Sequence, residues 1–97
     1  MNTKIDRFEL MQLFIRVVET RSVSAAGRLL GLSQPSASRQ LKQLETMLGA
    51  QLVQRSTHEL MLTDAGEKFF MAATEMLARW ENAADSAAAD RDEIHGP

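Results

Sequence analysis

Ninety-seven residues, 44% of them hydrophobic and 25% charged, have the composition of one small folded domain rather than of a disordered chain. No apolar run approaches a membrane span and the N-terminus lacks the basic-then-apolar pattern of a signal peptide, so a cytoplasmic protein is expected. The absence of cysteine excludes disulfides and thiolate metal sites.

In chain order, Ile5–Glu19 places Phe8, Met11, Phe14, Ile15 and Val18 at three-and-four spacing, which predicts an amphipathic helix. Leu10, Leu13 and Val17 widen its stripe, so this helix should be covered on two sides. Thr20-Arg21-Ser22 ends it, and Ser22 or Ser24 can cap the next helix. That helix should turn Val23, Ala26, Leu29 and Leu30 inward, with Ala25, Ala26 and Gly27 allowing close approach. Gly31 stands where a left-handed C-cap is wanted, Ser33 can start a third helix, and Pro35 lies in its first turn, where a missing N–H costs nothing. Ala37, Leu41, Leu44 and Leu48 then recur at four, three and four as a buried stripe. Pro35, Ser36, Arg39, Lys42, Gln43 and Thr46 fall opposite, Ser38 and Gln40 lie on the flanks, and Gly49 closes the helix.

Gln51–Arg55 and Glu59–Leu62, separated by Ser56-Thr57-His58, suit a small hairpin. Thr63 looks like an N-cap, with Asp64 and Glu67 in a first turn that favours negative charge. The helix it opens can run to about Ala89, some 40 Å at the usual rise. Its stripe is Phe69, Ala73, Met76, Trp80, Ala83 and Ala87, with Phe70, Leu77 and Ala84 alongside. Residues 90–97 are expected to form a frayed tail.

The net charge of −2 conceals a split. Residues 21–56 carry Arg21, Arg28, Arg39, Lys42 and Arg55 against Glu45 alone, a local charge of +4, whereas residues 57–97 carry −6. Fields are screened within about 10 Å at moderate salt, so the middle segment can act as a basic patch despite the overall sign. The same charges could instead be a solvated surface.

Two short helices joined at Gly31, the second greasy on one face and polar-basic on the other, form a helix-turn-helix pattern. In such a motif the second helix enters the major groove, about 12 Å wide, with its N-terminal half against base edges. Gln34, Ser36, Ser38 and Arg39 supply the short polar groups and the long donor that this requires. An ordinary helical hairpin would share the pattern, but a hairpin wing after it would not be expected there. Arg55 is the candidate wing contact to phosphate; its plain alternative is a surface pair with Glu45 or Glu59.

Phe14 through Glu19, Ser22-x-Ser-Ala-Ala, Leu30-Gly-Leu-Ser-Gln-Pro-Ser-x-Ser-Arg-Gln-Leu-x-x-Leu-Glu, Leu48-Gly, Leu52-x-x-Arg and Leu62-Thr-x-Ala-Gly resemble the DNA-binding domain of LysR-type transcriptional regulators. The resemblance spans about residues 5–89. It implies a fold that is all-α dominated with a small β-hairpin wing: a winged helix-turn-helix over residues 1–62 and a linker, or dimerisation, helix over 63–89. By position, Ser33, Gln34, Pro35, Ser38 and Arg39 match residues at the DNA, and Arg55 matches a wing arginine near the backbone. Ser24, Lys42 and Gln43, with Ser36, complete the expected DNA-facing set.

The chain also departs from the family pattern. His58 stands at the wing tip where the resemblance leads one to expect a further arginine, which weakens the expected minor-groove contact or ties it to imidazolium formation; the plain alternative is a solvent-exposed loop histidine. Gly27 replaces a commoner alanine, and Val23 and Val53 replace commoner phenylalanines. The resemblance implies a longer C-terminal portion that binds a small effector and is absent from this chain, so the chain is expected to be a fragment containing only the DNA-binding part, the alternative being a natural truncated form.

Phe69, Ala73, Met76, Leu77, Trp80 and Ala84 are the expected interface of a homodimer paired through the linker helix, because an apolar stripe of that length on a monomer marks a partner surface; the alternative, that half of the stripe packs on the first helix and the rest is simply exposed, can hold alongside it. No cofactor, metal or membrane partner is expected. His58 and His95, with no cysteine and no glycine-rich phosphate loop, neither make a metal site nor orient a nucleophile, so an enzyme is not expected. The expected function is therefore sequence-specific binding of double-stranded DNA at a pseudo-palindromic operator, as a bacterial transcription regulator. The alternatives are a helical interaction module that never meets DNA, and a single-domain winged-helix regulator of another family.

Overall fold

The computed structural model describes residues 6–55 and 59–94, with side chains through residue 90. Four helices, α1 (Arg7–Thr20), α2 (Val23–Leu29), α3 (Gln34–Leu48) and α4 (Asp64–Ile94), flank a two-stranded antiparallel sheet of β1 (Val53–Arg55) and β2 (Leu60–Leu62). The strands pair Val53 with Leu62, Gln54 with Met61 and Arg55 with Leu60.

The helix starts follow side-chain chemistry. Asp6 opens α1 by accepting from the Phe8 N–H (3.1 Å), and Ser22 rather than Ser24 caps α2, its hydroxyl accepting from the Ala25 N–H (3.0 Å). Ser33 does the same for α3, accepting from the Ser36 N–H (3.2 Å), with Pro35 in the first turn. Gly31 (φ 73°) and Gly49 (φ 69°) take the left-handed conformation that ends α2 and α3, as their positions predict.

α1 is buried on two faces. Leu10, Leu13, Phe14 and Val17 pack with Val23 and Ala26 of α2, Ala37, Leu41 and Leu44 of α3, and Leu52 and Val53. On the other face Met11 and Ile15 meet Ala73 and Leu77 of α4. At about 1.5–3 kcal/mol for each large apolar side chain fully buried, this helix supplies much of the driving force for packing. Phe14 bridges to α4 through tilted ring contacts with Phe69 (5.6 Å) and Phe70 (6.4 Å).

Three expectations change. Leu29 and Leu30 do not face inward: they are 63% and 37% exposed, because α2 is only seven residues long and its last turn has passed beyond the core. Leu48 at the end of α3 is 42% exposed for the same reason, while Ala37, Leu41 and Leu44 are buried. The last helix does not stop near Ala89 but continues through Ile94, so residues 90–94 are helical rather than a frayed tail. At α2, a methyl group on Gly27 would lie 3.1 Å from both the Ala37 Cβ and the Leu32 carbonyl oxygen, so the close approach of α2 to the start of α3 is what that glycine permits.

The sheet is anchored from both sides. The Glu45 carboxylate of α3 accepts from the Leu52 N–H (2.7 Å) and the Val53 N–H (3.2 Å). Thr63 donates its hydroxyl to the Gln51 carbonyl (2.6 Å) while accepting from the Gly66 N–H (2.9 Å), and its own N–H reaches the Leu52 carbonyl (3.0 Å). A Cβ at Gly66 would collide with that Leu52 carbonyl, so α4 can begin this close to β1 only with glycine there. Replacing Glu45 by alanine leaves two half-buried N–H groups without their charged acceptor. Glu45→Ala is expected to lower unfolding stability by about 1–3 kcal/mol in urea titrations, while Glu45→Gln, which keeps an acceptor oxygen, loses less.

Candidate nucleic-acid interface

α3 carries its polar face outward because Ala37, Leu41 and Leu44 turn the opposite side into the core. On that face the side chains hold one another: the Gln34 amide donates to the Ser38 hydroxyl (3.0 Å), and the Arg39 guanidinium donates to the Ser36 hydroxyl (3.3 Å). One such bond leaves most of the five guanidinium donors of Arg39 available to a ligand. Arg39, Lys42, Pro35 and Ser33 are exposed, and Ser36, Ser38 and Gln43 are half-buried. Ser33 therefore serves the helix start through its acceptor lone pair and keeps its O–H proton for an outside group.

Tertiary structure brings the remaining candidates together around Arg55. One cleft of about 260 Å³ is lined by Ser22 and Ser24 of α2, Gln34 at the start of α3, Arg55 at the end of β1, and Glu59 and Leu60. A second, of about 400 Å³, places Arg55 beside Ser38 and Lys42. Arg55 thus stands at the junction between the two helices of the helix-turn-helix and the wing. It does not pair with Glu45, whose carboxylate is occupied by the two N–H groups of Leu52 and Val53. Arg55 has no carboxylate within ion-pair distance among the described residues. His58, the expected wing-tip contact, lies outside the described residues, as does His95.

Arg21 also lines the first cleft and is exposed, although the sequence marked it only as a helix terminator within the basic segment. Its one visible signal was membership of that +4 stretch.

The expected dimer face divides. Ala73 and Leu77 are 0% and 9% exposed, covered by Met11 and Ile15 of α1, and Phe69 is half-buried against both core clusters. Ala73 and Leu77 thus pack within the domain, as expected of the half of the stripe that meets α1, while Phe69 is shared between the core and the apolar groove. Met76 (47%), Trp80 (60%) and Ala84 remain exposed. Trp80 meets Phe8 at 5.6 Å between ring centroids, on the edge of an apolar groove of about 430 Å³ that also includes Met11, Met47, Leu48 and Met76.

A three-helix core whose third helix shows a polar-basic face, followed by a two-stranded wing and a long helix, defines a winged helix-turn-helix domain. Residues 8–67 match the family described as bacterial regulatory helix-turn-helix protein, lysR family, and the chain belongs to that family. It is 40% identical over 74 residues to the uncharacterized HTH-type transcriptional regulator YhjC of Escherichia coli, covering 76% of this chain and 25% of that one. Its identity to the HTH-type transcriptional regulator PtxR of Pseudomonas aeruginosa is 44% over 70 residues, covering 72% and 22%. The chain thus spans about a quarter of the length of these relatives.

Among solved structures, the BenM DNA-binding domain in complex with benA site 1 DNA superposes with a TM-score of 0.83 at 28% identity, covering 89% of this chain and 97% of that one. The CbnR DNA-binding domain in a DNA complex gives 0.79 at 34% identity, covering 89% and 99%. Both relatives are transcriptional regulators by name, and both structures hold DNA.

The caps on α2 and α3 yield a paired test. Ser33→Ala is expected to lower stability by about 1 kcal/mol, the usual worth of an N-cap hydroxyl, whereas Ser24→Ala changes it by much less because Ser22 does the capping. Urea unfolding of both variants reads the difference.

Proposed function

We propose that this domain binds double-stranded DNA as a homodimer, each protomer laying residues 33–43 in a major groove, and that it serves a cytoplasmic transcription regulator. The observation that carries the reading is the outward polar face of α3, with Gln34 and Arg39 exposed and Ser36 and Ser38 half-buried between them, held opposite the buried Ala37-Leu41-Leu44 stripe and beside Arg55. Arg39 reads a base, most naturally guanine through a bidentate contact. Ser24, Ser33, Ser38, Lys42 and Arg55 fix the register on phosphates, and Gln34, Pro35, Ser36 and Gln43 line the groove-facing surface. The domain binds its partner and transforms nothing: its named relatives are transcriptional regulators.

Dimerisation follows from what α4 lacks. Every described side chain from Glu81 to Asp90 is exposed and beyond the Phe8–Trp80 ring contact, so about 15 Å of helix stands without tertiary support. Isolated helices of that length are marginal in water. A second α4 placed on Met76, Trp80 and Ala84 would support it, bury the exposed tryptophan and set two recognition helices for a pseudo-palindromic site.

Selection of bound duplexes from a random pool, with the mass of the complex measured alongside, tests the reading. The expected result is a two-half-site sequence bound by two chains, with affinity falling steeply between about 50 and 200 mM salt. Dimers with no sequence preference would instead support the interaction module. Arg39→Ala is expected to lose about 1–3 kcal/mol of discrimination at one position in each half-site; a uniform loss on every duplex would reassign it to phosphate.

A further inference from the structure

Arg21 holds a backbone conformation that L-residues avoid, φ 56° and ψ 29°, at the junction of α1 and α2. The other positive-φ residues described, Gly31 and Gly49, are glycines at the ends of α2 and α3, where the conformation carries no Cβ penalty. The turn itself does not need an arginine. It is held by the Thr20 hydroxyl, which donates to the Arg16 carbonyl (2.7 Å) and accepts from the Ser22 N–H (3.3 Å), and by the Ser22 cap on α2.

Nor does the interior use the guanidinium. Arg21 is exposed and makes no side-chain hydrogen bond or ion pair among the described residues. A strained position thus carries a long cation with no internal partner, where glycine would relieve the strain. That cation lines the same cleft as Arg55, with Ser22, Ser24 and Gln34 between them. Two guanidinium groups against the single carboxylate of Glu59 leave the cleft positive.

We infer that Arg21 is a DNA-backbone contact, and that Arg21 and Arg55 hold the phosphates of one strand from the two walls of the cleft between α2 and the wing. The inference rests on the proposed DNA binding and adds to it a residue outside the recognition helix. The guanidinium fork suits phosphate oxygens, and phosphate contacts set register without reading sequence.

Arg21→Gly separates this role from a structural one, because it removes the cation while relieving the backbone. At fixed protein concentration the variant is expected to unfold a few degrees higher than the wild type. Its log affinity against log salt should have a slope smaller by about 0.9 per protomer, with equal weakening on the selected duplex and on random duplexes. Arg21→Lys should keep the slope. An Arg21→Gly variant with the wild-type slope, or one that unfolds at a lower temperature, overturns the assignment while the wild type still binds. A wild type with no salt-dependent binding overturns it together with the proposed function.

Discussion

Two faces of a single helix organise this domain. Leu10, Leu13, Phe14 and Val17 of α1 face α2 and α3, while Met11 and Ile15 face Ala73 and Leu77 of α4. Burial on both sides means that α1 cannot rotate without exposing one cluster or the other. The directions of α3 and α4 are therefore set relative to each other through one rigid wedge. The polar face of α3 points outward as a consequence, and so does the unsupported end of α4. Any change in the α1 seam would move the candidate DNA surface and the exposed Met76-Trp80 edge together.

The wing is tied to that frame by polar contacts, since three-residue strands bury little. Glu45 holds the entry of β1 from α3, and Thr63 links the exit of β2 to Gln51, to Leu52 and to the first turn of α4. The Glu45 bonds to Leu52 and Val53 and the Gly66 bond to Thr63 are part-buried, where an unmade hydrogen bond is costly, while the Thr63–Gln51 bond is exposed. The practical effect is on Arg55. With the strand start pinned and Glu45 occupied, Arg55 is presented between Ser24 and Gln34 on one side and Ser38 and Lys42 on the other. Acid and base within one sequence segment thus stand apart: the carboxylate shapes the wing, and the guanidinium has no ion pair among the described residues.

Stability and binding pull apart at the surface. Leu29, Met61, Met71 and Trp80 are large apolar groups more than half exposed, and Arg21 sits in a left-handed conformation. None of these helps an isolated monomer. Each lies outside the two core clusters, which are continuous and contain no buried polar or charged residue among those described. The interior is thus an apolar scaffold, and these costs are confined to the surface.

The apolar periodicities of α1 and α3, the caps at Ser33 and Thr63 and the left-handed Gly31 and Gly49 were all legible in the residues, because helix starts, stops and buried stripes depend on neighbours within a turn or two. The outward set on α3 followed from the same geometry. Other features depended on distant parts of the chain. Leu29, Leu30 and Leu48 look like core residues by spacing, but only packing shows that their helices outrun it. The spacing of the α4 stripe does not say which half α1 covers; packing assigns Ala73 and Leu77 to it. Glu45 reads as a surface acid until the chain folds back to set the Leu52 and Val53 N–H groups against it. The family was therefore legible in the motifs the chain shares with it, and the outward face of α3 in its local spacing. Which arginines share a cleft, and how much of α4 is left for a second molecule, were decided only by tertiary structure, because both depend on contacts between segments tens of residues apart.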